Sequence, residues 1–185
     1  MSKGQTTSAS IPRFDSGYRP LSYLFPGVTD YEQGALIYFT IGLKLGGVET
    51  KEISEWAHAY SYSNSARSTS DWVWDILEPD TDIPQVIQRK MPFEEVAQNA
   101  RYMMMVMLNL IENKKIRVRT AMPYISDLKW QGGIWVSPAL SKLLDIWNRC
   151  EVLTGNNGEL PEQLEKELEE QYLLFLKTKP ISQLY

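Results

Sequence analysis

Two residue types that build many catalytic and metal centres are nearly missing from this chain, which has one histidine, His58, and one cysteine, Cys150. A zinc site built on two or three histidines therefore cannot form within one chain. Glu55-x-x-His58 is half of a di-iron bundle motif, but that design needs a second such pair and the sequence has none. His58 reads as a surface or satisfied residue of a helix. A Ser-His-Asp or Cys-His site would have to use it. Cys150 follows Trp147-Asn148-Arg149 in a helical pattern, with no nucleophile-elbow or papain-like surroundings. A lone thiol makes no internal disulfide, so nothing points to an oxidising compartment, and Cys150 reads as a buried structural thiol. Phosphate-binding loops are missing too. The double glycines Gly46-Gly47 and Gly132-Gly133 fit neither a dinucleotide fingerprint nor a Walker motif, and both read as turns.

Long apolar runs are also scarce. The longest, Tyr102 to Leu108, is far short of a membrane span. The start, Met1-Ser2-Lys3-Gly4-Gln5, lacks the apolar core of a signal peptide. The expectation is a protein that is cytoplasmic, or part of a virion if it is a structural subunit, with no membrane partner. Basic surplus is absent as well: the formal net charge is −4, which disfavours a dedicated nucleic-acid binder. Residues 151–185 hold seven glutamates against three lysines, and residues 1–150 balance to zero. Read along the chain, the acidic surplus is C-terminal and suits a basic partner.

Hydrophobic residues, by contrast, make up 43% of the 185 residues and aromatics 11%, enough for most of the chain to fold around a core. Residues 1–27 read as an extended arm, because Pro12, Gly17, Pro20, Pro26 and Gly27 interrupt any helix. Phe14, Tyr18, Tyr23 and Phe25 on that arm look like anchors for a segment lying on a surface, its own or a neighbour's.

Residues 28–185 read as a single helical domain. Thr29-x-x-Glu32 is a capping box opening a first helix that closes at Gly46-Gly47. Thr50 caps a second helix through Ile53, Trp56 and Ala57 to about Tyr60. Ser61 to Ser70 is a polar loop. Asp71 opens a short helix that stops at Glu78-Pro79, and Pro84 to Arg89 adds a further turn. Pro92 starts the longest helix, roughly Phe93 to Asn113, with Met103, Met104, Met105 and Met107 as core. Ile116-Arg117-Val118-Arg119 alternates as a half-buried strand does, and Ile134-Trp135-Val136 follows a glycine turn, so a small β-hairpin fits near 116–136. Ser137-Pro138 and Pro161 open the last two helices. The expected class is mainly α: an irregular bundle of about six helices with an N-terminal arm.

Acidic groups offer little chemistry. Glu78, Asp80 and Asp82 do not fit a calcium loop and read as a solvated turn, and Glu94-Glu95 suits a helix N-terminus. No catalytic residue, cofactor or metal ligand is expected. A carboxylate pair that meets only in space is invisible to sequence.

The functional expectation is a non-catalytic protein whose partner is another protein, either basic or a copy of itself. Candidate contacts are Trp72, Trp74, Trp130, Trp135, Glu162, Glu165 and Glu169, together with the arm aromatics. Lys114, Lys115, Arg117 and Arg119 are the candidate contacts to nucleic acid. The stretch Leu43-Lys44-Leu45-Gly46-Gly47, followed by Thr50 to Ala57, resembles a helix–turn–helix piece of small bacterial proteins of the toxin-immunity kind. That likeness implies an inhibitor that neutralises a toxin by tight contact. The alternative is a coat or connector subunit of a viral or phage particle or a filament, linked to its neighbours by the arm.

Overall fold

The computed structural model describes residues 30–63, 69–130, 138–154 and 161–178, so the arm at 1–27 lies outside the described residues. Nine helices and no strand occur among the described residues. In chain order they are α1 (Tyr31–Lys44), α2 (Thr50–Ser63), α3 (Asp71–Leu77), α4 (Ile83–Lys90), α5 (Phe93–Ala97), α6 (Ala100–Glu112), α7 (Val118–Trp130), α8 (Pro138–Thr154) and α9 (Glu162–Thr178). The chain divides into two compact units, Met1–Gln98 and Asn99–Tyr185.

In the first unit α1 is buried nearly all round, from Gly34 to Gly42. Its start is capped by Asp30, whose carboxylate accepts the Glu32 N–H at 2.9 Å. Its end is a Schellman closure. Gly46, at φ +69°, donates to the Leu43 carbonyl and Gly47 donates to the Gly42 carbonyl. The returning chain then lays Val48 directly on Gly42, where a Cβ would collide with the Val48 side chain. The cap of α2 is Glu49 rather than Thr50: the Glu52 carboxylate reaches back to the Glu49 N–H at 2.9 Å.

Trp56, on α2, is fully buried and sets the core of this unit. Tyr60 stacks on it at 5.0 Å between centroids and Trp72 of α3 stacks at 5.6 Å, both within about 11° of parallel. Phe39 meets it edge-on at 5.1 Å, and its indole N–H donates to the Tyr31 hydroxyl at 3.4 Å. Beside this stack Glu32 is only 4% exposed. Instead of serving a capping box, its two carboxylate oxygens accept the Ser70 N–H at 3.1 and 3.3 Å. Ser70 is the N-cap of α3 and makes no side-chain cap bond of its own, so Glu32 satisfies one of the orphan donors of that short helix from across the unit. Glu32 also accepts from the Tyr60 hydroxyl.

The long helix expected over 93–113 is broken in two. Asn99 has extended backbone (φ −94°, ψ 93°) and its side chain accepts the Tyr102 N–H at 3.2 Å, so a new helix begins there. The apolar periodicity carries through that point, but a cap residue at its start outweighs it locally.

In the second unit α6 buries Met103, Met104, Met105, Val106 and Met107, as an all-apolar helix must. It closes through Lys114, held at φ +56°, with the Lys115 N–H on the Leu110 carbonyl at 2.8 Å. The β-hairpin near 116–136 is not formed. The alternation of buried Ile116, exposed Arg117 and buried Val118 is real, yet Val118 already begins α7. Four residues fit both periods. The next buried positions, Ala121, Met122 and Ile125, follow Val118 at spacings of three, four and seven, which only a helix supplies. Ile134-Trp135-Val136 lies outside the described residues. Helices α8 and α9 pack on one another, and Leu143, Leu144, Trp147 and Cys150 of α8 and Leu168, Tyr172 and Phe175 of α9 are buried.

Three buried phenols give an alkaline signature. Burial pushes Tyr38, Tyr60 and Tyr172 above the ordinary phenol value, with carboxylates adding to it: Glu52 at Tyr38, Glu32 at Tyr60 and Glu112 at Tyr172. Their folded values exceed the unfolded value of about 10. The stability they contribute is therefore complete below about pH 10 and falls as pH rises beyond it. Phenolate absorbance is expected to appear for these three together with loss of helical signal. Smooth ionisation of every tyrosine near pH 10 in a chain that stays helical would contradict this burial.

Tyr172 adds a second test, because its hydroxyl is buried with no hydrogen-bond partner among the described residues. Tyr172→Phe removes that orphan group and is expected to leave the urea midpoint unchanged or to raise stability by about 1 kcal/mol. A clear loss would show that the hydroxyl has a partner.

Candidate functional site

The expected contact residues separate when placed on the fold. Phe14, Tyr18, Tyr23, Phe25 and Trp135 lie outside the described residues, as does the side chain of Trp130. Trp72 is core, 4% exposed and stacked on Trp56. Trp74, two residues on, is 39% exposed. The reason is helical geometry: Trp72, Val73 and Ile76 form the inner face of α3, and Asp71, Trp74, Asp75 and Glu78 fall on the outer one.

The C-terminal glutamates do not form a free acidic face throughout. Glu165 pairs with Arg117 at 3.5 Å and Glu167 with Arg149 at 2.9 Å. Glu162 and Glu169 are exposed. The basic candidates are similarly divided. Arg117 is engaged by Glu165, Arg119 is half-buried, and Lys114 and Lys115 are exposed. The candidate acidic surface and the candidate nucleic-acid surface thus meet inside one unit and partly neutralise each other. Each pair is solvent-exposed, so neither contributes much to stability. Cys150 is buried in the same unit. Burial pushes its thiol up against the opposing pull of Arg149 and Arg119, which suits an inert core residue.

Dividing the chain at Gln98–Asn99 redraws the charge map. Residues 1–98 hold thirteen acidic against eight basic side chains, net −5. Residues 99–185 hold ten acidic against eleven basic, net +1. The acidic surplus therefore belongs to the first unit. It is concentrated in residues 71–95, a stretch that holds Asp71, Asp75, Glu78, Asp80, Asp82, Glu94 and Glu95 with Arg89 and Lys90 as its basic residues. Along the linear chain the basic run at 114–119 cancels this surplus and hides it.

Two recesses lie among the described residues. In the first unit an open groove of about 510 Å³ lies between α1, α4 and α5, with Ile87, Leu43 and Phe93 as apolar lining and Asp82, Lys44 and Glu94 as charged lining. The Lys44 ammonium sits over the Phe93 ring, 5.3 Å from its centroid. In the second unit Val152 and Leu153, 84% and 68% exposed, line a shallow recess with Asn148 and Arg149. Among the described residues no three His, Cys, Asp or Glu side chains converge as a metal site requires, and no helix is long and apolar enough to cross a membrane.

Comparison with known proteins finds no matching family model, no matching curated protein and no matching solved structure.

Proposed function

We propose that the protein acts by binding another protein, and that the partner presents a basic surface to the first unit. The observation that carries this reading is the charge surplus of that unit, net −5, gathered on the exposed α3–α5 segment. Such a surface steers a basic partner to it and repels nucleic acid. The exposed Trp74 of that unit supports a contact role, since apolar groups rimmed by charge mark binding surfaces. An inhibitor that neutralises a basic toxin by covering it is the kind of activity this surface suits. The pairing of Arg117 with Glu165 weighs against a phosphate-binding role for the 114–119 group.

The reading is tested by affinity capture from cells that produce the protein, comparing the full chain with a variant carrying Asp71→Asn, Glu78→Gln, Asp80→Asn and Asp82→Asn. A basic protein held by the unaltered chain at low salt and lost from the variant is the expected result. Equal capture by both chains contradicts it.

A further inference from the structure

We infer that the outer face of α3 is the docking surface and that Trp74 is its anchor, taking an arginine-bearing segment of a basic partner protein. This inference rests on the protein-binding reading above and assigns it a site. Asp71, Trp74, Asp75 and Glu78 share one face at helical spacing, and Asp71 and Glu78 are exposed to solvent. A tryptophan set among carboxylates offers the two things a guanidinium uses: an indole face to stack on and oxygens to receive its N–H groups. The protein already shows that the chemistry fits. Arg89 of α4 brings its own guanidinium to Asp75 on this face, with Nη2 3.1 Å from the carboxylate. Asp71 and Glu78 have no such cation beside them among the described ion pairs, so their charge is available to a partner. Trp72 is core at 4% exposed, whereas Trp74 leaves 39% of its surface to solvent, where a partner can reach it.

The test uses the full chain labelled with fluorotryptophan, titrated with an oligoarginine peptide and followed by fluorine NMR. Loss of one resonance in Trp74→Phe assigns Trp74. The expected result is a saturable shift of that resonance at low salt, reversed by added salt. Combined Asp71→Asn and Glu78→Gln substitution should weaken affinity about tenfold without loss of helical content. If oligoarginine binds while the Trp74 resonance stays in place, or if Glu162→Gln with Glu169→Gln abolishes binding instead, the α3 surface is wrong and the basic-partner reading stands. If oligoarginine does not bind at all, both fall. If light scattering shows self-association that Trp74→Ala abolishes, a second copy occupies the face and the inference of a foreign basic partner is overturned.

Discussion

Trp56→Ala is expected to cost the first unit about 3–5 kcal/mol, the largest effect of any single truncation in it. The indole is fully buried and has two rings stacked near-parallel to it: Tyr60 at 5.0 Å and Trp72 at 5.6 Å. Removing it takes apolar surface out of contact, leaves a void beside the Tyr60 and Trp72 rings, and removes the indole N–H that donates to the Tyr31 hydroxyl. Stacked pairs add about 0.5–1.5 kcal/mol each beyond burial. A domain of this kind has about 5–15 kcal/mol in total, so the substitution consumes a large part of it. Urea unfolding followed by circular dichroism measures the loss. Trp56→Phe, which keeps one ring in the stack, should lose distinctly less. If Trp56→Ala lost under about 1 kcal/mol, Trp56 would not be the centre of the core.

Glu32→Ala is the second large effect, at about 2–4 kcal/mol. The carboxylate is buried and receives two donors, the Ser70 N–H and the Tyr60 hydroxyl. Alanine takes this acceptor away from both donors, and the start of α3 loses its cap. Glu32→Gln keeps one acceptor oxygen and turns an amide N–H₂ group toward the other donor, so it should fall between alanine and the unaltered residue. Hydrogen exchange at the Ser70 amide reads the local effect directly: protection should collapse in Glu32→Ala. Unchanged protection and an unchanged urea midpoint would mean that Glu32 is not the cap of α3.

These two residues show how much of the fold was legible in the sequence. The helix starts at Asp71 and Pro138 and the glycine closure after α1 all carry local chemistry, and local reading finds them. Glu32 reads locally as the acid of a capping box with Thr29, but its acceptor role depends on Ser70, thirty-eight residues away, which no local rule supplies. The break at Asn99 was missed because the apolar pattern continues across it while one side chain ends the helix. The hairpin near 116–136 was misread because a loop entering a helix mimics alternation over four residues.

The candidate site was less legible still. Trp72 and Trp74 look alike in sequence, and a short helix turns one inward and the other out. The charge also divides differently along the chain and by unit. Counted along the chain, the basic residues between 101 and 149 cancel the acids of 30–95. In space they share a unit with the C-terminal glutamates, and Arg117 and Arg149 pair with them.

Hydrogen–deuterium exchange of the full chain, alone and with its captured partner, tests the acidic face of the first unit as the binding surface. The partner is expected to slow exchange within residues 71–95, beginning at the outer face of α3, and to leave α9 as it was. Protection confined to residues 161–178, with α3 and α4 unchanged, would contradict that assignment.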